Sequence, residues 1–163
     1  PQRRPRRMTG LRSVDQSLPI ALLRARENLM RRFRPLIAAH DLTEQQWRVL
    51  RVLDDAGASS VGEIADEAVL LGPSLSRILA TLEQRGWIER RLHAGDARRS
   101  EIELTAAGRG VVADVAPRSE AAYREIESEL GEGEVTALIA ALERVANLRS
   151  AHDPTPPGRP RRA

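Results

Sequence analysis

Residues 73–84 place short hydrogen-bonding side chains around a single Arg. At a helical spacing of 100° per residue the apolar side chains form one stripe, Leu75, Ile78, Leu79 and Leu82. The opposite face and its flanks carry the candidate DNA-binding residues Ser74, Ser76, Arg77 and Thr81. Hydroxyl and guanidinium groups can approach base edges, whereas bulky apolar groups would block a major groove and carboxylates would repel phosphate. The pattern therefore predicts a DNA-recognition helix, begun by Pro73 and ended by Gly86.

A predicted β-hairpin follows directly. Residues 87–92 and 98–104 are predicted as its two strands, the second with apolar and polar residues alternating, and residues 93–97 between them contain a Gly. Near the tip stand Asp96, Arg98 and Arg99, where guanidinium groups on a protruding loop can reach phosphates or a narrow minor groove. A solvated turn with incidental charge is the alternative. Because the hairpin follows a recognition-type helix, we favour a DNA-contacting wing.

Two capping boxes define the helices ahead of the recognition helix. Ser60 with Glu63 opens a short amphipathic helix, and Thr43 with Gln46 opens another that runs to about Asp55. The chain from about 41 to 105 therefore reads as helix, helix, turn, helix and hairpin, in that order.

A long first helix, predicted over residues 18–40, contains an Arg in its apolar face. Arg26 lies among Leu22, Leu23, Leu29, Met30 and Phe33. A guanidinium there needs an anionic partner. It could bind the carboxylate of an aromatic acid, or form an ion pair across a dimer, and the residue pattern slightly favours the ion pair. His40 falls on the same side if this helix continues that far.

Trp47 is the candidate floor of an aromatic-ligand pocket between the first and second helices. Arg51 lies one helical turn from it and could help to bind an anion. Core packing of Trp47 at the junction between lobes is an alternative of at least equal weight. Apart from that possible role of Arg51, Arg48 and Arg51 are expected to be solvated.

The C-terminal third predicts two more helices, over residues 105–130 and 134–150, separated by Gly131 and Gly133. Pro117 should kink the first of these, as Pro35 should kink the N-terminal helix or open its ladder. The last helix carries a near-heptad apolar stripe: Val135, Leu138, Ile139, Leu142, Val145 and Ala146. No other segment of the chain can cover these faces, so we expect a homodimer formed by the N- and C-terminal helices.

The charge of the protein is unevenly distributed. The 163 residues include no Lys, so all 26 basic residues are Arg. Residues 74–100 carry six Arg against three acids, whereas residues 13–153 as a whole carry 18 Arg against 23 acids. The predicted DNA-facing unit is thus locally basic on an acidic body.

The termini differ from the body in composition. Residues 1–14 are expected to be a disordered Arg-rich arm and residues 153–163 a disordered Pro/Arg tail, which leaves one domain over 15–152. The absence of Cys excludes a thiol-based redox sensor, and no apolar run approaches the roughly 20 residues of a membrane span. A cytoplasmic location and no cofactor are expected.

Enzyme function finds little support. The sequence has no Gly-rich phosphate loop, no G-x-S-x-G elbow and no Cys nucleophile. Its three His, at 40, 93 and 152, are too scattered to predict a metal cluster.

Several motifs resemble the MarR family of winged-helix regulators. They are the run Asp96–Ser100 followed by Leu104-Thr105, the stretches 18–26, 33–35 and 42–48, and Pro73-Ser74-Leu75. The resemblance covers roughly residues 18–150 and is greatest to the branch that controls homoprotocatechuate (hydroxyphenylacetate) degradation operons. It implies a phenolic carboxylate effector in the crevice near Trp47. The Arg-rich N-terminal arm is no part of the family pattern.

The sequence therefore predicts a mainly α protein, a winged helix-turn-helix with long terminal dimerisation helices. As a homodimer it would read a pseudo-palindromic operator in double-stranded DNA, with recognition helices about 34 Å apart, and act as a repressor. The alternative is a non-specific architectural DNA-binding or protein-interaction module, for which scrambling the DNA site would change affinity little.

Overall fold

The computed structural model describes residues 13–93 and 96–148, and for residues 92–93 and 96–99 it describes the strand backbone alone. The described chain is mainly helical, as predicted. Its elements, after a short 3₁₀ turn at Val14–Gln16, are α1 (Leu18–Ala38), α2 (Glu44–Ala56), β1 (Ser59–Ser60), α3 (Val61–Glu67), α4 (Gly72–Gln84), β2 (Ile88–His93), β3 (Asp96–Leu104), α5 (Ala106–Leu130) and α6 (Glu132–Ala146).

Both predicted capping boxes are present. The Thr43 N–H donates to the Gln46 side chain at 2.9 Å, and the Gln46 N–H donates to Thr43 Oγ1 at 3.2 Å. Ser60 and Glu63 form the same reciprocal pair, at 2.9 and 3.3 Å. These local bonds satisfy N–H groups that have no partner within their own helices, so they fix where α2 and α3 begin.

The sheet has one strand more than the sequence predicted. Its order is β1-β3-β2 with both pairs antiparallel, and β1 joins β3 through Ser59 opposite Ile102 and Ser60 opposite Glu101. A strand of two residues is too short to produce an alternating pattern, which is why the sequence showed only a hairpin. In this way β1 ties the start of α3 to the base of the hairpin.

The core lies beneath the helix-turn-helix. Its buried cluster is built from α1, α2, α3, α4, the hairpin and the start of α5: Ile37, Leu42, Val49, Leu50, Leu53, Ile64, Ala68, Leu75, Ile78, Leu79, Leu82, Ile88, Ile102, Leu104 and Val112. Every residue of the apolar stripe predicted for α4 belongs to this cluster. The recognition helix is therefore held from behind by packing, and its other face remains exposed.

Three predicted helix ends were wrong. Helix α1 ends at Ala38 rather than residue 40, because Asp41 adopts a positive φ of 53° and turns the chain towards α2. Helix α6 begins at Glu132, since Gly131 alone (φ 94°) separates it from α5 and Gly133 is helical. It ends at Ala146 rather than 150. Pro35 and Pro117 both lie inside their helices.

Contacts divide the chain into two compact units, one up to Ala122 and one from Tyr123 onward. The second unit contains the end of α5 and all of α6. Helix α6 buries none of its residues, and its apolar stripe stays exposed, with Leu138 at 48%, Ile139 at 51% and Leu142 at 38%. Within the described residues, no helix is both long and apolar enough to cross a membrane.

Candidate DNA and effector sites

Helix α4 presents all four candidate base-reading residues to solvent. Ser74, Ser76, Arg77 and Thr81 are each exposed, while the stripe on the other side of the helix is buried. In the described part of the chain, the Arg77 side chain has neither an ion pair nor a hydrogen bond. Its planar guanidinium is therefore available for a bidentate contact, such as the one that Arg makes to guanine O6 and N7.

Two hydroxyl groups on this surface already donate to their own helix. Ser76 Oγ donates to the Gly72 carbonyl at 3.1 Å, and Thr81 Oγ1 donates to the Arg77 carbonyl at 3.0 Å. A hydroxyl oxygen that donates in this way keeps its lone pairs as acceptors. Both oxygens can therefore accept from the amino groups of adenine or cytosine without giving up a bond inside the protein.

The one acid on the recognition helix has a basic neighbour. Glu83 Oε2 lies 3.4 Å from Nε of Arg90 on β2. Both side chains are roughly 40% exposed, so the pair contributes little to stability. It does offset the one negative charge on the recognition helix.

The wing follows the predicted hairpin, with one difference. His93 pairs with Asp96, so Asp96 opens β3 instead of lying in the turn, and the register shifts between Leu92 and His93. The side chains of Asp96, Arg98 and Arg99 lie outside the described residues, and their role in DNA binding stays a prediction. At the base of the wing, Arg91 contacts Glu89 at 2.7 Å and Glu103 at 2.5 Å.

The turn that leads into the recognition helix is held by an Arg. Arg48 on α2 donates through Nη1 to the Ala68 carbonyl at 2.7 Å and lies 3.4 Å from that of Val69. Val69 has a positive φ of 51°, which is unfavourable for a β-branched residue. The prediction that Arg48 is solvated was therefore wrong, because its guanidinium binds the carbonyls of this strained turn and stabilises it.

A second guanidinium joins the end of the recognition helix to the α1–α2 turn. Arg85 Nη1 donates to the Asp41 carbonyl and Nη2 to the His40 carbonyl, each at 2.9 Å. The Arg85 guanidinium carbon also lies 3.6 Å from the centroid of the Trp87 ring, in a cation–π contact. Sequence reasoning missed Arg85, and a separation of 44 residues leaves no local signal that could have found it.

The candidate effector residue Arg26 has an ionic partner in its own chain. It pairs with Glu44, the first residue of α2, and Arg34 Nε approaches the same carboxylate at 2.5 Å. Arg34 also binds Glu27. The hydrogen bond from Arg34, with one from Arg26, lowers the pKa of Glu44 below its usual value, so this carboxylate is ionised at neutral pH.

The apolar face predicted around Arg26 is not buried in the single chain. Its side chain is 52% exposed, and nearby Leu23 is 65% exposed. The anionic partner that the sequence required for Arg26 is Glu44 on α2. The sequence had suggested a ligand or a second copy of the chain as its source. An aromatic carboxylate that binds Arg26 would compete with Glu44.

The other three effector candidates lie around the α1–α2 turn and along α2. His40 is half-buried in the turn, beyond the end of α1. Trp47 is half-buried and packs against the core. Arg51, one turn further along α2, is 52% exposed and pairs with Asp54 at 3.2 Å, a weak surface contact that a ligand anion could replace. Within the described residues no cluster of acidic or His side chains could hold a metal ion.

The recognition helix is exposed, is followed by a β-hairpin, and rests on a core to which α1, α2, α3 and the start of α5 contribute. This arrangement defines a winged helix-turn-helix DNA-binding protein. Residues 40–99 match the model of the MarR family. The chain is 37% identical to the homoprotocatechuate degradative operon repressor of Escherichia coli, over 89% of this chain and 98% of that protein. It belongs to the MarR family.

Two solved structures agree with this assignment. The fold is similar to that of NadR in complex with 4-hydroxyphenylacetate, with a TM-score of 0.77 and 33% identity over 86% of this chain and all of that one. It is also similar to the transcriptional repressor CouR bound to a 23-mer DNA duplex, with a TM-score of 0.74 and 28% identity over 82% of this chain and 95% of that one.

We expect Arg77→Ala to weaken specific DNA binding by about 1–3 kcal/mol, because it removes the one guanidinium on this face, which can make a bidentate contact to guanine. Fluorescence anisotropy with labelled operator DNA measures the loss. Arg24→Ala, on an exposed part of α1, is the matched control. Equal affinities of the Arg77→Ala variant and the wild type would exclude Arg77 from base reading.

Proposed function

We propose that this protein is a homodimeric repressor of an aromatic-acid catabolic operon, and that a small phenolic carboxylate releases it from DNA. The observation that carries the proposal is the 37% identity to a repressor of homoprotocatechuate degradation along almost the whole length of that repressor. The similarity to NadR, which was solved with 4-hydroxyphenylacetate, supports the same class of effector. As a regulator of chromosomal DNA, the protein would act in the cytoplasm.

DNA recognition would use the two surfaces described above. Ser74, Ser76, Arg77 and Thr81 would read bases in the major groove. On the wing, Arg98 and Arg99 would contact the flanking phosphates or minor groove, and Asp96 would hold one of these two Arg side chains in position. Two copies related by a two-fold axis would read a pseudo-palindromic site.

The effector would bind near α2. The ring of Trp47 offers an aromatic surface, and the Arg51 guanidinium, on the same helix face one turn away, offers a partner for a carboxylate. Arg26 and His40 complete the candidate set. Occupancy would favour one spacing of the DNA-binding lobes over another, and in this way reduce the population competent to bind the operator.

The DNA-binding part of the proposal is tested with the intergenic DNA upstream of the protein's own gene. Anisotropy titrations compare this duplex with a scrambled duplex of the same length and composition, at one fixed salt concentration. The proposal predicts at least about 10³-fold tighter binding to the native duplex, as is typical of specific regulators. Equal binding would favour the architectural alternative.

The effector site is tested by Arg51→Gln. We expect this variant to bind operator DNA as the wild type does but to need a higher 4-hydroxyphenylacetate concentration for release, by about tenfold for one lost charged hydrogen bond. Arg144→Gln on α6, outside the candidate effector site, is the control. An unchanged midpoint would remove Arg51 from the effector site and leave the DNA-binding proposal intact.

A further inference from the structure

Both ends of the recognition helix are attached to the body by guanidinium groups that bind backbone carbonyls. Ahead of α4, Arg48 holds the turn at Ala68 and Val69. Behind it, Arg85 holds the turn between α1 and α2. Both attachments lie within the first compact unit.

The contacts of Arg85 fix the orientation of its guanidinium as well as its distance from the α1–α2 turn. The residue is the C-cap of α4, so its backbone moves with the recognition helix. Its side chain reaches two successive carbonyls through two different nitrogens, each at 2.9 Å. Because the guanidinium is planar, two such bonds fix its orientation. The guanidinium carbon also lies over the Trp87 ring, 3.6 Å from its centroid.

Through Trp87, Arg85 is also connected to the base of the wing. Trp87 immediately precedes β2, and its carbonyl accepts from the Thr105 N–H at 3.0 Å, just before α5. Gly86, with a φ of 69°, reverses the chain between Arg85 and Trp87 and so allows the ring to lie over the guanidinium. Arg85 therefore connects the recognition helix, the base of the wing and the α1–α2 turn.

We propose that Arg85 is a positioning residue whose bridge to the His40 and Asp41 carbonyls fixes the angle of the recognition helix, and that sequence-specific DNA binding depends on this bridge. The proposal rests on the DNA-binding function proposed above. Without the bridge, α4 keeps its buried stripe and its attachment at Arg48 but can rock about its N-terminal end. Base contacts are short and directional, so they are lost on a small displacement, whereas attraction to phosphates persists.

The opposing explanation is that Arg85 itself binds a DNA phosphate. The two explanations make different predictions for Arg85→Lys, which keeps the positive charge but lacks the planar fork. A phosphate contact would survive this change, and the salt dependence of binding would not alter. A bridge to two carbonyls would be lost.

The experiment measures the affinity of the full-length wild type, Arg85→Lys and Arg85→Met for the upstream duplex and for its scrambled control, at several salt concentrations. Arg144→Lys is the matched control, since Arg144 donates to the Ala140 carbonyl within its own helix, outside the helix-turn-helix. Urea unfolding of each variant shows whether the fold survives.

We expect both Arg85 variants to lose about tenfold or more in affinity for the upstream duplex, because a recognition helix that is not held at one angle makes weaker base contacts. We expect them to bind the scrambled duplex within about twofold of the wild type. Full affinity of Arg85→Lys, together with a salt slope reduced by about one in Arg85→Met, would overturn the proposal in favour of a phosphate contact. A parallel loss on both duplexes would overturn it in favour of a purely structural role. If the wild type itself fails to discriminate between the duplexes, the DNA-binding proposal fails together with this one.

Discussion

Ile139→Glu on α6 is expected to convert the protein from a dimer to a monomer and to abolish operator binding at concentrations where the wild type is saturated. Ile139 is 51% exposed in the single chain and lies in the stripe that includes Leu138 and Leu142. A second copy would bury this stripe, and an unpaired carboxylate buried there would oppose association by several kcal/mol. A monomer reads only one half-site, so its affinity for the operator falls steeply.

Sedimentation velocity measures the oligomeric state, and anisotropy measures operator binding by the same samples. Ala140→Glu is the matched control, since it adds the same charge to α6 about 100° round the helix from Ile139, outside the apolar stripe. We expect this control to stay dimeric. An Ile139→Glu variant that also remains a dimer with normal affinity would show that α6 is not the dimer interface.

Gly108→Ala is expected to lower the free energy of unfolding by about 3 kcal/mol or more, at the upper end of overpacking effects. An added Cβ would lie 2.0 Å from the Trp87 carbonyl oxygen and 2.9 Å from its carbonyl carbon. Both atoms belong to backbone that is held in place, because the same carbonyl accepts from Thr105. The start of α5 would have to move away from the base of the wing.

Gly110→Ala provides the control on the same helix. Beyond its own stretch of α5, no described atom lies within 4 Å of the position that its Cβ would take, so the change should stabilise the helix by about 0.5–1 kcal/mol. Urea denaturation of both variants gives the comparison. If the two substitutions have the same effect, the close approach of α5 to Trp87 does not exist in solution.

The parts of the fold that local patterns determine could be predicted from the sequence. Both capping boxes lie within four residues of chain, and the buried stripe of α4 repeats at the helical spacing. The hairpin was also predicted from a local pattern, since apolar and polar residues alternate along its second strand. Membership of the MarR family followed from short motifs that are specific in combination, and it is confirmed by the identity to the Escherichia coli repressor.

The parts of the fold that depend on contacts between distant residues could not be predicted from the sequence. Arg48 reaches carbonyls 20 residues away and Arg85 reaches carbonyls 44 residues away, and neither distance leaves a periodic signal. Arg26 illustrates the same limit, because its position on an apolar face indicated the need for an anion, whereas the choice of Glu44 depended on how α2 packs beside α1. Backbone carbonyls are also acceptors that side-chain patterns do not reveal.

Both Arg candidates for the effector site, Arg26 and Arg51, already have a carboxylate partner with which a ligand would compete. Arg26 is held by an ionised Glu44, whereas Arg51 has one weak partner at the surface. A carboxylate ligand at Arg51 would have to replace only the contact with Asp54, whereas one at Arg26 would have to displace Glu44. This difference makes Arg51, beside Trp47, the first residue to test.

The central claim is that the protein binds its operator specifically and that a phenolic carboxylate releases it. The measurement that tests it most directly is fluorescence anisotropy of the complex with its own upstream duplex, titrated with 4-hydroxyphenylacetate and homoprotocatechuate, with the scrambled duplex alongside. We predict that the upstream duplex is bound specifically and that at least one of the two compounds returns its anisotropy to the value of free DNA. Binding that persists unchanged at saturating concentrations of both compounds would contradict the proposed effector class, and equal binding of the scrambled duplex would contradict the proposed repressor.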